Sequence, residues 1–519
     1  MNRFNLISFF ISILFAHCLS AQEYNDVAFF DFNQNMRTAH EHAIQLRFKD
    51  CGLLLQTEKA KNPMNLIPYY IDDVMDFMRV YTNENHNEFR KLQPQREVRL
   101  AKIKSGDNAS PYYLYCQAAI LTQWALLHIR FDEYPEAAKL IKAALPHSEQ
   151  NLKLNPDFNA TKMVRGAAIA LGAAISNDTK TGLVLNMSDG LNLIKEACDY
   201  GKKSPKWEFN EFCQAWLAFT LIEIGIEESG SWAALNPIIL DYKKSPIAAY
   251  ILATYHLESG SSVKALAALE AYPTDDRYHS FYFLDYMRGL CYLYKLDNKA
   301  DMFIKKYLDR YQGVHHIKDA HQKLAWSALL KNNMQQYKIY MADLKTKGNA
   351  VAPYDINAER EANLNLSPNP SLLKAHLLFE GGFYDKAAAE LTQCNPSSLK
   401  TDYEKAEYGF YKARIEHKMK RFDAALTQYD AVINAYKNKN FYFACAANFF
   451  AGTVWEERKE YDRARIYYEN CNKLNPEVFK KTLHDRARTR LDAIKSLKTD
   501  PNAAKNRVGA TIGGPTKKQ

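Results

Sequence analysis

Glycine and proline are both scarce in this chain, 20 and 18 residues in 519. A protein built from many short strands needs more of both at its turns, so the shortage argues against an all-β architecture. Long apolar runs are missing too: no stretch reaches the roughly 20 residues that a membrane-spanning helix needs. The sequence contains no HExxH, no GxSxG, no P-loop, no GxGxxG after a strand and no CxxC. Each of those motifs places a nucleophile, a metal ligand or a phosphate cradle at a fixed spacing, so the usual sequence grounds for an enzyme are absent.

A field of one sign is lacking as well. The 68 Lys and Arg against 59 Asp and Glu give a formal net charge of +9. Without Arg3, which lies in the leader described below, the chain is +8. Residues 495–519 hold Lys495, Lys498, Lys505, Arg507, Lys517 and Lys518 against Asp500, which is +5 of that total and leaves +3 for the body. The basic balance is a property of the tail and does not describe a nucleic-acid groove. Metal and acid–base constellations are no easier to find. His40-Glu41-His42 sets its histidines on different helix faces, and among His315, His316 and His321 the step of five residues is not a ligand face. Asp72-Asp73 and Glu456-Glu457 are adjacent in sequence and read as solvated helix surface. No catalytic residue, metal ligand or cofactor is expected.

What is present is a globular balance, 47% apolar and 24% charged, with 33 tyrosines and 27 phenylalanines to fill gaps between helices. Arg3, the apolar run Leu6–Phe15 and the small residues Ser20-Ala21 before Gln22 read as a secretory leader over residues 1–21. Cys18 is preceded by His17, where a lipidated cysteine wants a small residue. Eight cysteines follow the leader: Cys51, Cys116, Cys198, Cys213, Cys291, Cys394, Cys445 and Cys471. Export permits disulfides, but most of these sit in apolar helical runs, which favours buried thiols over a disulfide framework.

The strongest signal is internal repetition. Tyr384 is followed three residues later by Ala387 and seven later by Leu391. The pattern returns as Phe422, Ala425, Tyr429 and as Tyr461, Ala464, Tyr468, at intervals of 38 and 39 residues. Nine residues before each aromatic stands a small residue (Ala375, Ala413, Gly452), and ten after it a compact one (Cys394, Val432, Cys471). Small residues let two antiparallel helices approach, and large ones fill the seam with the next pair. One pair cannot bury its own apolar face, so pairs stack. Over Ala375–Pro476 this resembles the tetratricopeptide repeat, down to the closing Lys473-Leu474-Asn475-Pro476. It departs from the family in its longer period and in the missing first-helix tryptophan at Ser371, Gly409 and Asn448. The resemblance implies an all-α fold, a right-handed α-solenoid of antiparallel helix pairs.

Weaker copies lie upstream. Ala125, Tyr134, Ala137, Ile141 and Ala144 keep the spacing and close on Lys153-Leu154-Asn155-Pro156. Ala253, Ala265 and Leu269 match with Ser262 in the aromatic position, Gly289 pairs with Ala300 if one residue is missing, and residues 319–345 match poorly. The expected layout is therefore a leader (1–21), an N-terminal helical segment capping the array (22–111), degenerate repeats (112–350), a linker (351–370), clean repeats (371–498) and a disordered basic tail (499–519). In the N-terminal segment, long helices are expected over Thr38–Leu55 and Leu66–Arg79. The small, apolar stretch 164–191 reads as a tightly packed core helix with its connector, or as an inserted hairpin that docks a partner or touches a membrane. The basic tail is the other candidate for membrane contact.

A solenoid of this kind presents a concave groove that takes an extended peptide or a helix of another protein. Tyr408, Tyr411 and Asn448, on first helices, are the candidate binding residues. Together these features point to a non-enzymatic scaffold or adaptor of the bacterial cell envelope, exported to the periplasm or to the periplasmic face of the outer membrane. Its partner would be another envelope protein, not a nucleic acid. The Tyr-, Asn- and Lys-rich composition and the Ser-Ala-Gln leader end resemble secreted tetratricopeptide proteins of the Bacteroidota. Two other readings stay open: a SusD-like glycan-binding outer-membrane protein, and a solenoid-supported enzyme acting on peptidoglycan.

Overall fold

The computed structural model describes residues 27–176, 182–224, 240–364 and 367–499, with side chains to 495. The expected leader (1–21) and the basic tail beyond 499 lie outside the described residues. Among those residues the chain forms 23 α-helices, one 3-10 turn and two isolated β-bridges, so the all-α expectation holds. Four helices come first: α1 (Gln34–Ile44), α2 (Phe48–Lys61), α3 (Ile67–Asn83) and α4 (His86–Lys104). The array then runs through the pairs α5/α6 (Pro111–Arg130, Tyr134–Leu154) and α7/α8 (Ala160–Ser176, Met187–Lys203), followed by α9 (Asn210–Ile224). Next come α10/α11 (Pro246–Glu258, Ser262–Ala271), α12/α13 (Phe283–Tyr294, Ala300–Arg310) and α14/α15 (Ile317–Leu330, Met334–Thr346). A single helix, α16 (Pro353–Leu364), precedes α17/α18 (Pro370–Glu380, Tyr384–Gln393), α19/α20 (Asp402–Lys418, Phe422–Tyr436) and α21/α22 (Tyr442–Glu457, Tyr461–Lys473). The last helix is α23 (Lys480–Thr499).

One turn recurs through the array. A residue with positive φ stands two positions before the second helix at Asp132, Gly260, Asn332, Gly382, Lys420 and Lys459. That residue closes the first helix in the left-handed region, and the chain reverses within two residues. The turn makes α10/α11 and α14/α15 true members of the series, although their sequences had matched weakly. The small positions act as the spacing requires. A Cβ on Gly452 would sit 2.6 Å from the Tyr468 ring, and one on Gly289 would sit 2.4 Å from Ile304. First helices also carry their own start signals, such as Ser110 before Pro111, Asn369 before Pro370, and the Thr401–Glu404 capping box.

First helices pack on first helices along the stack, α5 on α7, α7 on α9, α10 on α12, α12 on α14, α17 on α19 and α19 on α21. This close approach curves the solenoid with first helices inside and second helices outside. Two large hydrophobic cores result, one reaching from the N-terminal helices to α17 and one from α17 to α23, with a small third cluster of Leu344, Ala358 and Ala362 between α15 and α16. The two large cores are joined where two turns meet back to back. Ser262 donates from its backbone N (3.3 Å) and its hydroxyl (2.8 Å) to the Gly381 carbonyl, and Gly260 lies against Gly382.

Several expectations need correction. The helix expected over Thr38–Leu55 is two helices, broken at Leu46, which takes a φ of 63°. The stretch 351–370, expected to be a linker, carries α16. Its buried Asp355 accepts from the backbone N of His316 (2.8 Å) and of Asp319 (3.0 Å), which caps α14 from outside. Asp73 is not solvated helix surface. It is fully buried, accepts from Trp124 Nε1 (3.0 Å) and Arg99 (3.0 Å), and burial pushes its pKa up to about 6 against the pull of Arg99.

The apolar stretch 164–191 divides in two. Up to Ser176 it is α7, whose apolar side chains are buried in the core. A Cβ on Gly166 would sit 2.5 Å from the Gly190 carbonyl oxygen, so the backbones of α7 and α8 touch there. Residues 177–181 lie outside the described residues. Beyond them Val184 is exposed, while Leu183 and Leu185 rest on the core. No helix among the described residues is long and apolar enough to cross a membrane.

The N-terminal helices bury His40 in a cage of rings: Phe32 (5.5 Å), Tyr70 (5.9 Å), Phe209 (5.3 Å) and Phe212 (5.1 Å) between centroids. Burial pushes the His40 pKa down to about 3. In the unfolded chain the same ring titrates near 6.5. Its contribution to stability is therefore complete above pH 6.5 and drains away as the pH falls toward 3, at about 1.4 kcal/mol per unit. Urea unfolding at pH 7 and pH 5 is expected to show a loss about 2 kcal/mol smaller in His40→Phe than in the wild type. Equal losses in the two proteins would show that His40 is not the acid-labile group.

Candidate partner-binding surface

The curvature makes the first-helix face the concave wall, but most of its N-terminal half is already covered. α1 lies on α9 and α3 lies on α5. The covering is held by a buried charged knot at the end of α3. Glu84, in the left-handed region with φ 49°, is 4% exposed. It accepts from Arg130 of α5, from the Tyr311 hydroxyl (2.5 Å) and from His315 Nδ1 (2.7 Å). Arg130 also reaches Glu223 of α9 at 2.7 Å. Burial works against the Arg130 charge, yet Glu223 and its neighbours hold the guanidinium's pKa above its ordinary value. His315 is pushed down to about 4 by burial and by Arg130, so its neutral ring donates to Glu84. Further along, the His279 backbone N donates to the Leu46 carbonyl (2.7 Å), and its ring stacks on Phe48 (4.8 Å). The N-terminal segment thus fills the inside of the array from α5 to the start of α14.

Beyond this stretch the single helix α16 meets the approach to α23. Tyr354 of α16 is 50% exposed, and its phenol's pKa is held above the ordinary value, first by Glu258 and then by burial. Its edges meet Phe479 (5.7 Å) and His316 (5.7 Å). Beside it the wall is built from cations on rings: Arg360 lies 4.0 Å over Tyr403, and Arg414 lies 3.4 Å over Phe450. His376 stacks on Tyr411 (4.6 Å) and faces Glu407 at 3.2 Å.

The three candidate residues fall in different places. Tyr411 is buried, and its hydroxyl donates to Glu380 (3.2 Å) across neighbouring first helices. Asn448 is buried too, and its amide donates to the Ala444 carbonyl one turn back (2.9 Å). Tyr411 thus joins neighbouring repeats, while the Asn448 amide bonds within its own helix. Tyr408 is half-buried and touches the second core. Tyr408 and Tyr411 stand one turn apart on α19, and Asn448 lies on α21. The residue that sequence reading missed is Tyr354, which stood in the supposed linker. The preceding Pro353 and the following Asp355 were the only local hints of a helix start there.

Two surface grooves accompany the wall. One, of about 250 Å³, lies among α4, α5 and α6 and includes Arg96, Leu100, Gln117 and His147. The other, of about 380 Å³, lies between α15 and α16 and includes Met334, Tyr337, Met341 and Ala362. Among the described residues no group of three or more His, Cys, Asp or Glu is placed to hold a metal ion.

No protein-family model matches the chain, and no curated protein matches it either. Among solved structures it is similar to yeast Tom70, at 13% identity over 91% of each chain with a TM-score of 0.24. It is also similar to a monomeric mutant of IFIT1 with Gppp-AAAA, at 14% identity over 77% of this chain and 99% of that one, TM-score 0.25. A third likeness is to the APC/C hetero-tetramer Cut9–Hcn1, at 10% identity over 86% and 95%, TM-score 0.20. TM-scores this low transfer nothing about function to this chain. The fold class rests instead on its own helix pairs and their common turn: it is an all-α solenoid.

Proposed function

We propose that this protein is a non-enzymatic interaction scaffold of a bacterial cell envelope, which holds a segment of another envelope protein against its open concave wall. The observation that carries the reading is Tyr354 of α16, an aromatic ring 50% exposed that meets His316 ahead of α14 and Phe479 ahead of α23. Tyrosine offers a large, rigid face with a polar edge, the kind of side chain that anchors protein interfaces. Its exposed ring face suits a segment that carries an apolar or cationic side chain. The leader-like N-terminus supports export, and the periplasm is the compartment we assign.

The test is affinity purification of the full chain from envelope fractions after crosslinking, with identification of the bound protein. The wild type is expected to retain a defined envelope protein, and Tyr354→Ala to retain at least about tenfold less, the effect of losing one central aromatic anchor. Recovery of carbohydrate without protein, or equal capture by the variant, would overturn the reading.

A further inference from the structure

All eight cysteines beyond the leader are buried, but they are not alike. Cys198 of α8 and Cys213 of α9 hold their sulfurs 3.2 Å apart, and Cys445 of α21 and Cys471 of α22 hold theirs 3.5 Å apart. An S–S bond is about 2.05 Å long. Closing the gaps brings the sulfurs together by about 1.2 Å and about 1.5 Å, a movement shared by two side chains. Cys51, Cys116, Cys291 and Cys394 show the contrasting arrangement, a small thiol in an apolar core.

The repeat itself does not require a sulfur pair. Cys471 stands ten residues after its aromatic and Cys445 sixteen before it. In the two preceding copies those places hold Cys394 with Pro368, and Val432 with Ala406. Packing is therefore satisfied without two thiols, and only one copy brings two together. The other pair differs in kind, since it links the second helix of one repeat to the first helix of the next.

We propose that both pairs are disulfide sites, Cys198–Cys213 and Cys445–Cys471, formed by exchange with a thiol–disulfide oxidant while the chain folds. One thiolate of the pair attacks the oxidant's disulfide and releases its first thiol. The second thiolate then attacks the mixed disulfide and releases the other thiol. Two S–H groups are lost and one S–S bond is gained. The two electrons reduce the oxidant's disulfide to two thiols, which take up the protons. The timing follows from the setting. Burial raises the Cys213 pKa, while for Cys471 the neighbouring Cys445 raises it first and burial adds to this, so exchange is slow once the helices are packed. The partners are only 15 and 26 residues apart in sequence and can meet before that.

This inference is independent of the partner-binding reading, and its test requires neither export nor a partner. The full-length chain is reduced and unfolded, refolded in a mixture of oxidised and reduced glutathione, then trapped with iodoacetamide in denaturant. It is digested without reduction and mapped by mass spectrometry. The expected result is two cross-linked peptides, one joining Cys198 to Cys213 and one joining Cys445 to Cys471, with Cys51, Cys116, Cys291 and Cys394 alkylated. Alkylation of either proposed pair, or its pairing with other cysteines, overturns the proposal for that pair. Core cysteine variants can fail to fold, so the decisive mapping uses the unaltered chain. Its melting temperature gives a second readout: dithiothreitol should lower that of the oxidised wild type and leave that of C198A/C213A/C445A/C471A where it was.

Discussion

Arg130→Met is expected to destabilise the N-terminal half of the protein by about 3–5 kcal/mol, the usual cost of leaving buried charges without their partner. Methionine replaces much of the side chain's bulk, so the loss is electrostatic and not a cavity effect. Two carboxylates are stranded at once, Glu84 and Glu223, and both are close to fully buried. Tyr311 and His315 still donate to Glu84, but two neutral donors do not replace a guanidinium. Urea unfolding followed by circular dichroism is the measurement. A control isolates the cause: E84Q/R130M/E223Q removes every charge of the knot and should recover more than half of the loss. A single variant within about 1 kcal/mol of the wild type would mean that water reaches these carboxylates in the folded state.

Gly382→Ala is the second large effect. Gly382 has a φ of 83°, where an L side chain is strained, and its Cβ would sit 1.9 Å from the Gly260 carbonyl oxygen. The obstacle is the backbone of another turn, not a flexible side chain that could move aside. Strain and overlap together should cost about 3–4 kcal/mol. The loss falls on the seam between the two cores, so its signature is distinctive. Thermal unfolding should separate into two steps as the arrays come apart, where the wild type melts in one. A single transition at an unchanged temperature would show that the turns are not tightly joined.

What could be read from the sequence followed the period of the repeat. The triplets at Tyr384, Phe422 and Tyr461 located three helix pairs and their small contact residues, because those positions interact within a few dozen residues. The α14/α15 pair matched poorly for a visible reason. Ala325 keeps the small residue nine before Met334, and Met341 the large one seven after, but Tyr337 stands where the alanine belongs. The turn at Asn332, with φ 57°, reveals the pair all the same. The surface was harder to read. Helical phase placed Tyr408, Tyr411 and Asn448 on first helices but could not tell a groove-facing position from one wedged between neighbouring repeats. Asp73 seemed solvated because Arg99 and Trp124, which bury it, come from other helices. Nothing near Glu84 in the sequence foretells partners on α5 and in the approach to α14.

Glu84 meets Tyr311 and His315 across 227 and 231 residues of chain. Protein synthesis runs from the N-terminus, so α1 and α3 leave the ribosome long before the helices that will cover them. Before His315 emerges α3 and α1 can dock on α5 and α9, but the Glu84 knot still lacks two of its donors. The segment that fills the array is thus made first and locked last, its buried carboxylate waiting on donors 227 and 231 residues downstream.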